Sequence, residues 1–430
     1  MTIQRDRYLQ QLKDSRFNGQ VKVITGLRRS GKSYLLFKIY YEYLLSTGVD
    51  RKSIIQIMLD DDTYELLRDP DQLSKYIRSN ITDTNQKYYV FLDEVQYAIS
   101  VEEMKNPDKP IKLYSVLNWL LHLGNVDIYV TGSNSKFLSK DVMTEFRGRG
   151  DVIHVYPLSF KEFYDHVGGE KAETYEHYAM YGGMPFALSK HTDEKKMQYL
   201  SSLFTEVYFK DIVERYSIEL QNILGQLTDS LCSSIGSLTN ANKIARTIGS
   251  DRGKQVSSET IAKYIEYLSD SFLFKEAKRF DVKGKRYFHY PNKYYCTDIG
   301  LRNARLNFRQ QEESHIMENI IFNELVLRGY QVDVGVVEIT ETTKNGDRRQ
   351  KQCEIDFIAS SGSTKYYIQA ALHTEVGEKR EKELRPFLNI NDSFKKILVT
   401  KTYAKPWTDE KGILHIGLYT FLLDENSLRL

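Results

Sequence analysis

The sequence is short of three features that would narrow its class at once. It has little cysteine: Cys232, Cys296 and Cys353 are far apart and odd in number. With no Cys-x-x-Cys pair and no Cys/His grouping, neither a zinc site nor a disulfide framework is expected, and reduced, buried thiols are. It has no uninterrupted apolar run long enough to span a bilayer. The first residues, Met-Thr-Ile-Gln-Arg-Asp-Arg, carry charge where a signal peptide would carry its apolar core. A cytoplasmic protein with no membrane partner is therefore expected. Nor is one sign of charge in excess, with 60 Lys and Arg against 58 Asp and Glu. Any nucleic-acid surface has to come from local clustering of basic residues.

What is present is a chain of 430 residues, 41% hydrophobic and 27% charged. That composition is globular and excludes a disordered or fibrous class, and the length implies two to four domains. Short β-branched runs recur at 21–25 (VKVIT), 53–59, 88–92, 126–131 and 151–157, with helix-like segments such as 32–46 and 111–123 between them. Strands alternating with helices predict a parallel sheet covered on both faces, so residues 1–157 form one α/β domain. Residues 158–225 have helical spacing. In 226–304 a second helical set precedes alternating aromatic and basic residues at 272–296, which predict a β-hairpin. The last part, 305–430, mixes one helix (ENIIFNELVLRG) with strands, and its charged segment ETTKNGDRRQKQ reads as a solvated hairpin tip.

The chemistry concentrates near the first strand. Gly26-Leu27-Arg28-Arg29-Ser30-Gly31-Lys32-Ser33 fits G-x-x-x-x-G-K-[ST], with a strand before it and a helix after it. Glycines let the backbone curl, so that successive N–H groups from Gly26 to Tyr34 face phosphate oxygens. The positive end of the helix adds to that field. Lys32 then reaches the β- and γ-phosphates of ATP, and the Ser33 hydroxyl completes a Mg²⁺ shell. A chance match would lack a second part, which is supplied by the apolar strand Tyr89-Val90-Phe91-Leu92 ending in Asp93-Glu94. Asp93 is the expected Mg²⁺ ligand and Glu94 the base that deprotonates the attacking water. Strand four ends in Thr131-Gly132-Ser133-Asn134-Ser135; Ser133 or Asn134 is placed to sense the γ-phosphate, the alternative being a plain turn. Arg147-Gly148-Arg149 either supplies charge to the transition state, in cis or to a neighbouring subunit, or is a solvated basic loop.

These residues resemble a family of prokaryotic AAA-type ATPases, within the broad group that includes the origin-recognition and STAND-like proteins. The likeness is carried in order by GLRRSGKS, FLDEVQ, VTGSNSKFLS, FRGRG, PLSFKEF, YGGMP and KDIVERY. It implies a helical lid at 158–225 whose Gly183-Met184-Pro185 touches the nucleotide, with Pro185 near the adenine. It implies a winged helix at 226–304, with helices 240–248 and 257–268 as its helix-turn-helix and 272–296 as its wing. For 305–430 the resemblance is to a domain of unknown function related to the PD-(D/E)xK, restriction-endonuclease-like fold.

A working nuclease of that kind needs a helix glutamate, an aspartate and an acid-x-lysine. Glu318, Asp356 and Gln369 fall at those positions, with Glu354 beside Asp356, but Ala371 stands where the lysine should. Gln369 is a neutral ligand for a hard cation, and Lys365 lies roughly 13 Å away along an extended strand. An inactive nuclease fold kept for binding is expected, with Glu354 and Asp356 on one strand face and Ile355 and Phe357 packed inward on the other. Basic residues interleaved with aromatics at Lys275, Lys278, Arg279, Lys283, Lys285, Arg286 and Lys293 fit a duplex DNA backbone. The exposed side of the recognition helix, Glu259, Lys263 and Glu266, mixes signs instead. Two readings follow: an ATP-driven switch acting on DNA, on a protein partner or by self-association, or an ATP-dependent nucleic-acid-cleaving enzyme. No acceptor motif supports a third, a small-molecule phosphotransferase.

Overall fold

The computed structural model describes residues 3–100, 102–103, 110–132, 150–252, 256–288, 291–342, 348–372, 378–403 and 405–430. The chain divides into two compact units, Met1–Pro157 with Asp270–Phe272, and Leu158–Ser269 with Leu273–Leu430. Among the described residues no helix is long and apolar enough to cross a membrane.

The first unit is built on five parallel strands: β1 (Val21–Thr25), β2 (Ile54–Met58), β3 (Tyr88–Asp93), β4 (Val126–Thr131) and β5 (Gly150–His154), in the order β2-β3-β4-β1-β5. The three inner strands are buried along their whole length, as β-branched runs without polar alternation require. On one face Val21, Val23, Val90, Leu92, Ile128 and Val130 pack with Leu73 and Ile77 of helix Pro70–Asn80 and Leu117 and Leu120 of helix Lys112–His122. The first of these helices starts where Asp69 accepts from Asp71 N and Gln72 N and where proline fixes the opening turn. The other face is aromatic, with Tyr129 lying 5.1 Å from Tyr40 and 5.3 Å from Phe91. Tyr40 belongs to the long helix that runs from Lys32–Tyr34 through Leu35–Tyr40 to Tyr41–Ser46. Under those rings Lys22 and Asp127 form a buried ion pair, and Asp127 also accepts from Tyr129 Oη (2.7 Å) and Phe17 N (3.1 Å).

The second unit opens with helices Phe160–Val167 and Lys171–Tyr181. PLSFKEF starts the first: Ser159 Oγ accepts from Glu162 N while Glu162 accepts from Ser159 N, a capping box. The glycines of YGGMP are a packing device. At Gly182 (φ 69°) an added Cβ would meet Asp298 Oδ1 at 2.4 Å, and at Gly183 it would meet Leu158 O at 2.1 Å. Asp298 is buried there, accepting from Gly183 N (2.7 Å) and capping helix Ile299–Arg305 through Leu301 N (2.9 Å). Helices Gln221–Ser233, Ala241–Arg252 and Ser258–Asp270 follow, with Glu259, Lys263 and Glu266 exposed.

The strands after them differ from the predicted hairpin. β7 (Phe274–Ala277) and β10 (Asn292–Cys296) pair antiparallel, and with β6 (Leu238–Thr239) they make a three-stranded sheet. The stretch between them leaves that sheet. β8 (Arg279–Asp281) and β9 (Arg286–Tyr287) join an eight-stranded sheet through β11 (Gln331–Thr342). That sheet runs β15-β16-β14-β13-β12-β11-β8-β9, with β12 (Arg348–Ser361), β13 (Thr364–Ala371), β14 (Lys395–Thr400), β15 (Trp407–Thr408) and β16 (Ile413–Gly417). The charged segment is mostly strand, because β11 and β12 pair out to Thr342↔Arg348. A second departure comes from a bulge on β12. Ile355 pairs with Gly335 and Ile358 with Asp333, so three steps on β12 oppose two on β11. Alternation breaks there. Ile355 packs with Leu384 and Phe387 of helix Glu378–Leu388, whereas Phe357 lies 6.2 Å from Phe322 of helix Glu313–Leu327 and 5.9 Å from Tyr295.

Asp298 makes stability depend on pH. Burial pushes its carboxyl up to about 6, against the three backbone N–H groups, of Gly183, Leu301 and Gly300, that favour the anion. A carboxyl raised in the folded state contributes stability that is full below its unfolded value near ~4 and lost as pH rises through the folded value. Relative to Asp298→Asn, the wild type is expected to lose on the order of 2–3 kcal/mol between about pH 4 and pH 6.5 and nothing further above it. Urea denaturation of both proteins across that range checks this; a constant difference would show that Asp298 is not titrating in the fold.

Candidate functional site

Three strand ends meet at the carboxyl edge of the five-stranded sheet, where open α/β sheets place their ligands. The loop from Gly26 to Gly31 leaves β1 through backbone that few side chains tolerate, with positive φ at Gly26 (134°), Arg29 (62°) and Gly31 (98°). A Cβ on Gly26 would meet Val155 O at 2.2 Å, so glycine is required by packing as well as by φ. Gly31 stands before the helix without a side-chain cap, so the helix-start N–H groups of Lys32 and Ser33 are not taken up by capping. Arg5, missed in the sequence because it belongs to no motif, braces the loop from behind. It donates to Ser30 O (3.3 Å) and Tyr156 O (2.7 Å).

Lys32 is folded back on this loop, donating to Gly26 O (3.1 Å) and Leu27 O (3.0 Å). Burial lowers its ammonium to about 8, and Glu94 and Asp93 offset part of that effect. Ser33 Oγ donates to Asp93 Oδ1 over 3.1 Å. Two residues sixty positions apart thus put a hydroxyl and a carboxylate side by side, hard oxygen donors of the kind Mg²⁺ takes alongside phosphate oxygens. Asp93 is buried, and burial raises its pKa against the hydrogen bonds from Thr131 and Ser33. Thr131 is the second residue missed; it ends β4 beside Asp93. Its hydroxyl donates to Asp93 and accepts from Glu94 N (3.0 Å). Glu94 follows in the left-handed region at φ 49° and accepts a hydrogen bond from Gln96 Nε2.

Asn134 and Arg149, with Ser133 and Arg147, lie outside the described residues. Pro185 begins the short helical turn Pro185–Ser189 of the second unit. Of the DNA-contact candidates, Lys278 lies between β7 and β8, while Arg279, Lys283, Lys285 and Arg286 sit on β8, on β9 and in the turn joining them, at the edge of the eight-stranded sheet and not on a wing of the three-stranded one. Several are tethered. Arg279 donates to Gln352 (3.1 Å), Lys283 to Glu338 O (2.7 Å), and Arg286 pairs with Asp281 at 3.5 Å.

Lys293 does not join them. It is 4% exposed on β10, and its ammonium reaches Glu318 (3.0 Å) and Glu354 (2.7 Å). Burial works against that charge, yet Glu318, Asp356 and Glu354 together hold it above its ordinary value. Tyr295 Oη also donates to Glu318 (2.7 Å). Burial holds the Asp356 carboxyl well above its ordinary range, and Asp356 accepts from Ala370 N (2.8 Å). Gln369 turns elsewhere, accepting from Asp356 N (3.3 Å) and donating to Glu383 (3.0 Å). The acids named from the nuclease resemblance are therefore gathered around a lysine that arrives from another sheet. Among the described residues no group of three or more acidic, His or Cys side chains is arranged to hold a metal ion.

Comparison with known proteins agrees with the first unit. The AAA domain family matches residues 18–164, and a domain of unknown function (DUF8612) matches residues 172–312. An uncharacterized protein of Haemophilus influenzae is 33% identical over 428 residues, 98% of each chain. Another, from Methanocaldococcus jannaschii, is 28% identical over 377 residues, 84% of this chain and 77% of its own. Among solved structures, the Walker-type ATPase of Pyrococcus abyssi aligns with a TM-score of 0.48 at 15% identity, over 71% of this chain and 96% of its own.

Removing the Lys293 ammonium would strand the Glu318 carboxylate, 14% exposed, and leave the more exposed Glu354 without its counter-charge. Lys293→Met is expected to cost about 3–5 kcal/mol in chemical denaturation, the range for breaking a buried ion pair from one side. Adding Glu318→Gln and Glu354→Gln should restore part of the loss. A cost under about 1 kcal/mol would mean that the carboxylates are balanced by something other than Lys293.

Proposed function

The chain belongs to one family with the uncharacterized protein of Haemophilus influenzae and carries an AAA domain over residues 18–164, and on that basis we propose that it is a Mg²⁺-dependent ATP-hydrolysing switch. The observation that carries the proposal is the meeting of Ser33 and Asp93 at 3.1 Å, with Lys32 and Glu94 at the same sheet edge. The backbone N–H groups from Gly26 through Tyr34, including those of Arg28, Arg29 and Ser30, receive the phosphates. Lys32 exchanges its two loop carbonyls for phosphate oxygens. Ser33 and Asp93 hold Mg²⁺, which when bound neutralises and polarises the phosphates. Glu94 takes a proton from water as the water oxygen bonds to the γ-phosphorus. The bond from that phosphorus to the bridging oxygen breaks, and ADP and phosphate leave. In this reading Asn134 senses the γ-phosphate, Arg149 steadies the transition state, and Pro185 packs at the adenine.

The finer description of the second unit is part of the same proposal. Helices Gln221–Ser233, Ala241–Arg252 and Ser258–Asp270 with β6, β7 and β10 form a winged helix. The eight-stranded sheet with helix Glu313–Leu327 is a restriction-endonuclease-like domain kept for binding. Duplex DNA is the proposed partner, met by Lys278, Arg279, Lys283, Lys285 and Arg286. The competing reading, a nucleic-acid-cleaving enzyme, is disfavoured by Lys293: its ammonium is buried among Glu318, Glu354 and Asp356, where a nuclease would need a cation exchanging with solvent.

Glu94→Gln is expected to keep ATP affinity within about 3-fold and to slow turnover by at least about 100-fold. Lys32→Ala should lose binding itself. Steady-state hydrolysis with and without duplex DNA, with Lys32→Ala subtracting contaminating activity, tests the switch. Stimulation by DNA that is lost when Lys283, Lys285 and Arg286 are changed to Ala supports it, and hydrolysis indifferent to DNA moves the partner to protein. Cutting of plasmid DNA by the wild type that Asp356→Ala abolishes would overturn the binding-only reading of the nuclease-like domain.

A further inference from the structure

We propose that Gln96 positions Glu94 for hydrolysis and presents its own amide oxygen to the attacking water. This rests on the reading of Glu94 as the base. The argument begins with strain. Glu94 sits at φ 49°, a conformation that costs a non-glycine residue on the order of 1 kcal/mol and persists only where its surroundings over-determine it. Two contacts do so. The Thr131 hydroxyl accepts from Glu94 N (3.0 Å) while donating to Asp93, which fixes the peptide between the two acids. That leaves the carboxylate, which the left-handed turn aims differently from an extended strand residue.

Gln96 governs that end. It lies in the single helical turn Val95–Ala98, which starts directly after Glu94 and is closed by Tyr97 N donating to Glu94 O (3.1 Å). Its Nε2 donates to Glu94 Oε2. The amide orientation follows from the pair itself, because the reverse flip would set two oxygens against each other. The same orientation leaves Gln96 Oε1 buried, with no hydrogen-bond partner among the described residues. A buried carbonyl oxygen without a donor is unfavourable by about 1–3 kcal/mol, and water arriving with the nucleotide is a donor of the right size. Such a water can give one proton to Glu94 and one hydrogen bond to Gln96, which defines its orientation with two acceptors. Among the described residues, Lys32 and Asp93 are charges that act on the same site as Glu94. Gln96 thus acts in two ways, by orienting the Glu94 carboxylate through Nε2 and by orienting the water through Oε1.

The test is a double-mutant cycle on ATP hydrolysis. Gln96→Leu removes both polar atoms at similar size and should lower kcat about 10- to 100-fold with KM within about 3-fold, whereas Gln96→Asn, with a shorter reach, should fall between it and the wild type. In a Glu94→Gln background, Gln96→Leu should lower the single-turnover rate by less than about 3-fold, because the base it orients has gone and only its contact with the water is left to lose. ATP affinity close to that of the wild type shows that each variant folds. Full kcat in Gln96→Leu, a faster rate, or losses that multiply in the double variant would overturn the proposal while leaving Glu94 as the base. Wild-type turnover equal to that of Glu94→Gln would remove the proposed function, and this inference with it.

Discussion

The arrangement of the first unit follows from one constraint, the burial of the Asp93 carboxylate at the end of a dry parallel sheet. A carboxylate there is unfavourable by several kcal/mol unless donors surround it, and Asp93 is 4% exposed. Its donors come from two other elements: Thr131 at the end of β4 and Ser33 at the start of the helix after β1. Those two contacts require β4 to lie against β3, and β1 against β4, which is the strand order observed. They also bring the helix that carries Lys32 to the acid end of β3. The same hydrogen bonds that satisfy a buried charge therefore also gather Lys32, Ser33, Asp93 and Glu94 at one sheet edge.

Much of this was legible in the residues. The three inner strands of the first unit announce themselves as apolar runs, because a strand covered on both faces carries no polar alternation. Lys32, Ser33, Asp93 and Glu94 announce themselves because phosphate and Mg²⁺ chemistry demands fixed residue types at fixed spacing. The contacts of Thr131, Gln96 and Arg5 did not: the first two lie inside motifs and the third in none, and in each case a side-chain hydrogen bond to a neighbour leaves no mark in residue type or spacing. The largest miss was topological. Alternating aromatic and basic residues at 272–296 read as one hairpin, yet β8 and β9 leave for another sheet and return, and pairing across sheets leaves no local signal. The bulge at Asp356–Phe357 was invisible for a similar reason: one extra residue changes the face of every side chain after it without changing the composition.

Lys293 shows how such a miss bears on function. Read as part of a basic stretch, it belongs to a DNA surface. Placed by β10, it is the counter-charge of Glu318 and Glu354. The sequence position expected to hold the lysine of a nuclease is Ala371, so the ammonium near these acids comes from a different strand and points at the carboxylates themselves. Excess negative charge is what would attract a divalent cation, and an internal cation lowers that excess before any metal arrives.

The two buried lysines also explain why one site is suited to exchange and the other to permanence. Lys32 rests on two neutral carbonyls and is lowered to about 8; Lys293 rests on two carboxylates and is raised. Both lysines make charge-assisted hydrogen bonds, worth roughly twice a neutral one of about 0.5–1.5 kcal/mol, but only those of Lys293 also join opposite charges. An incoming triphosphate offers Lys32 a stronger partner than the one it holds, so the ammonium gains by moving and its charge is favoured again. Nothing of comparable charge can improve on what Lys293 already has, and withdrawing it would leave Glu318 and Glu354 facing each other. The opposite shifts of two chemically identical groups thus separate an ammonium held by neutral carbonyls from one held by carboxylates.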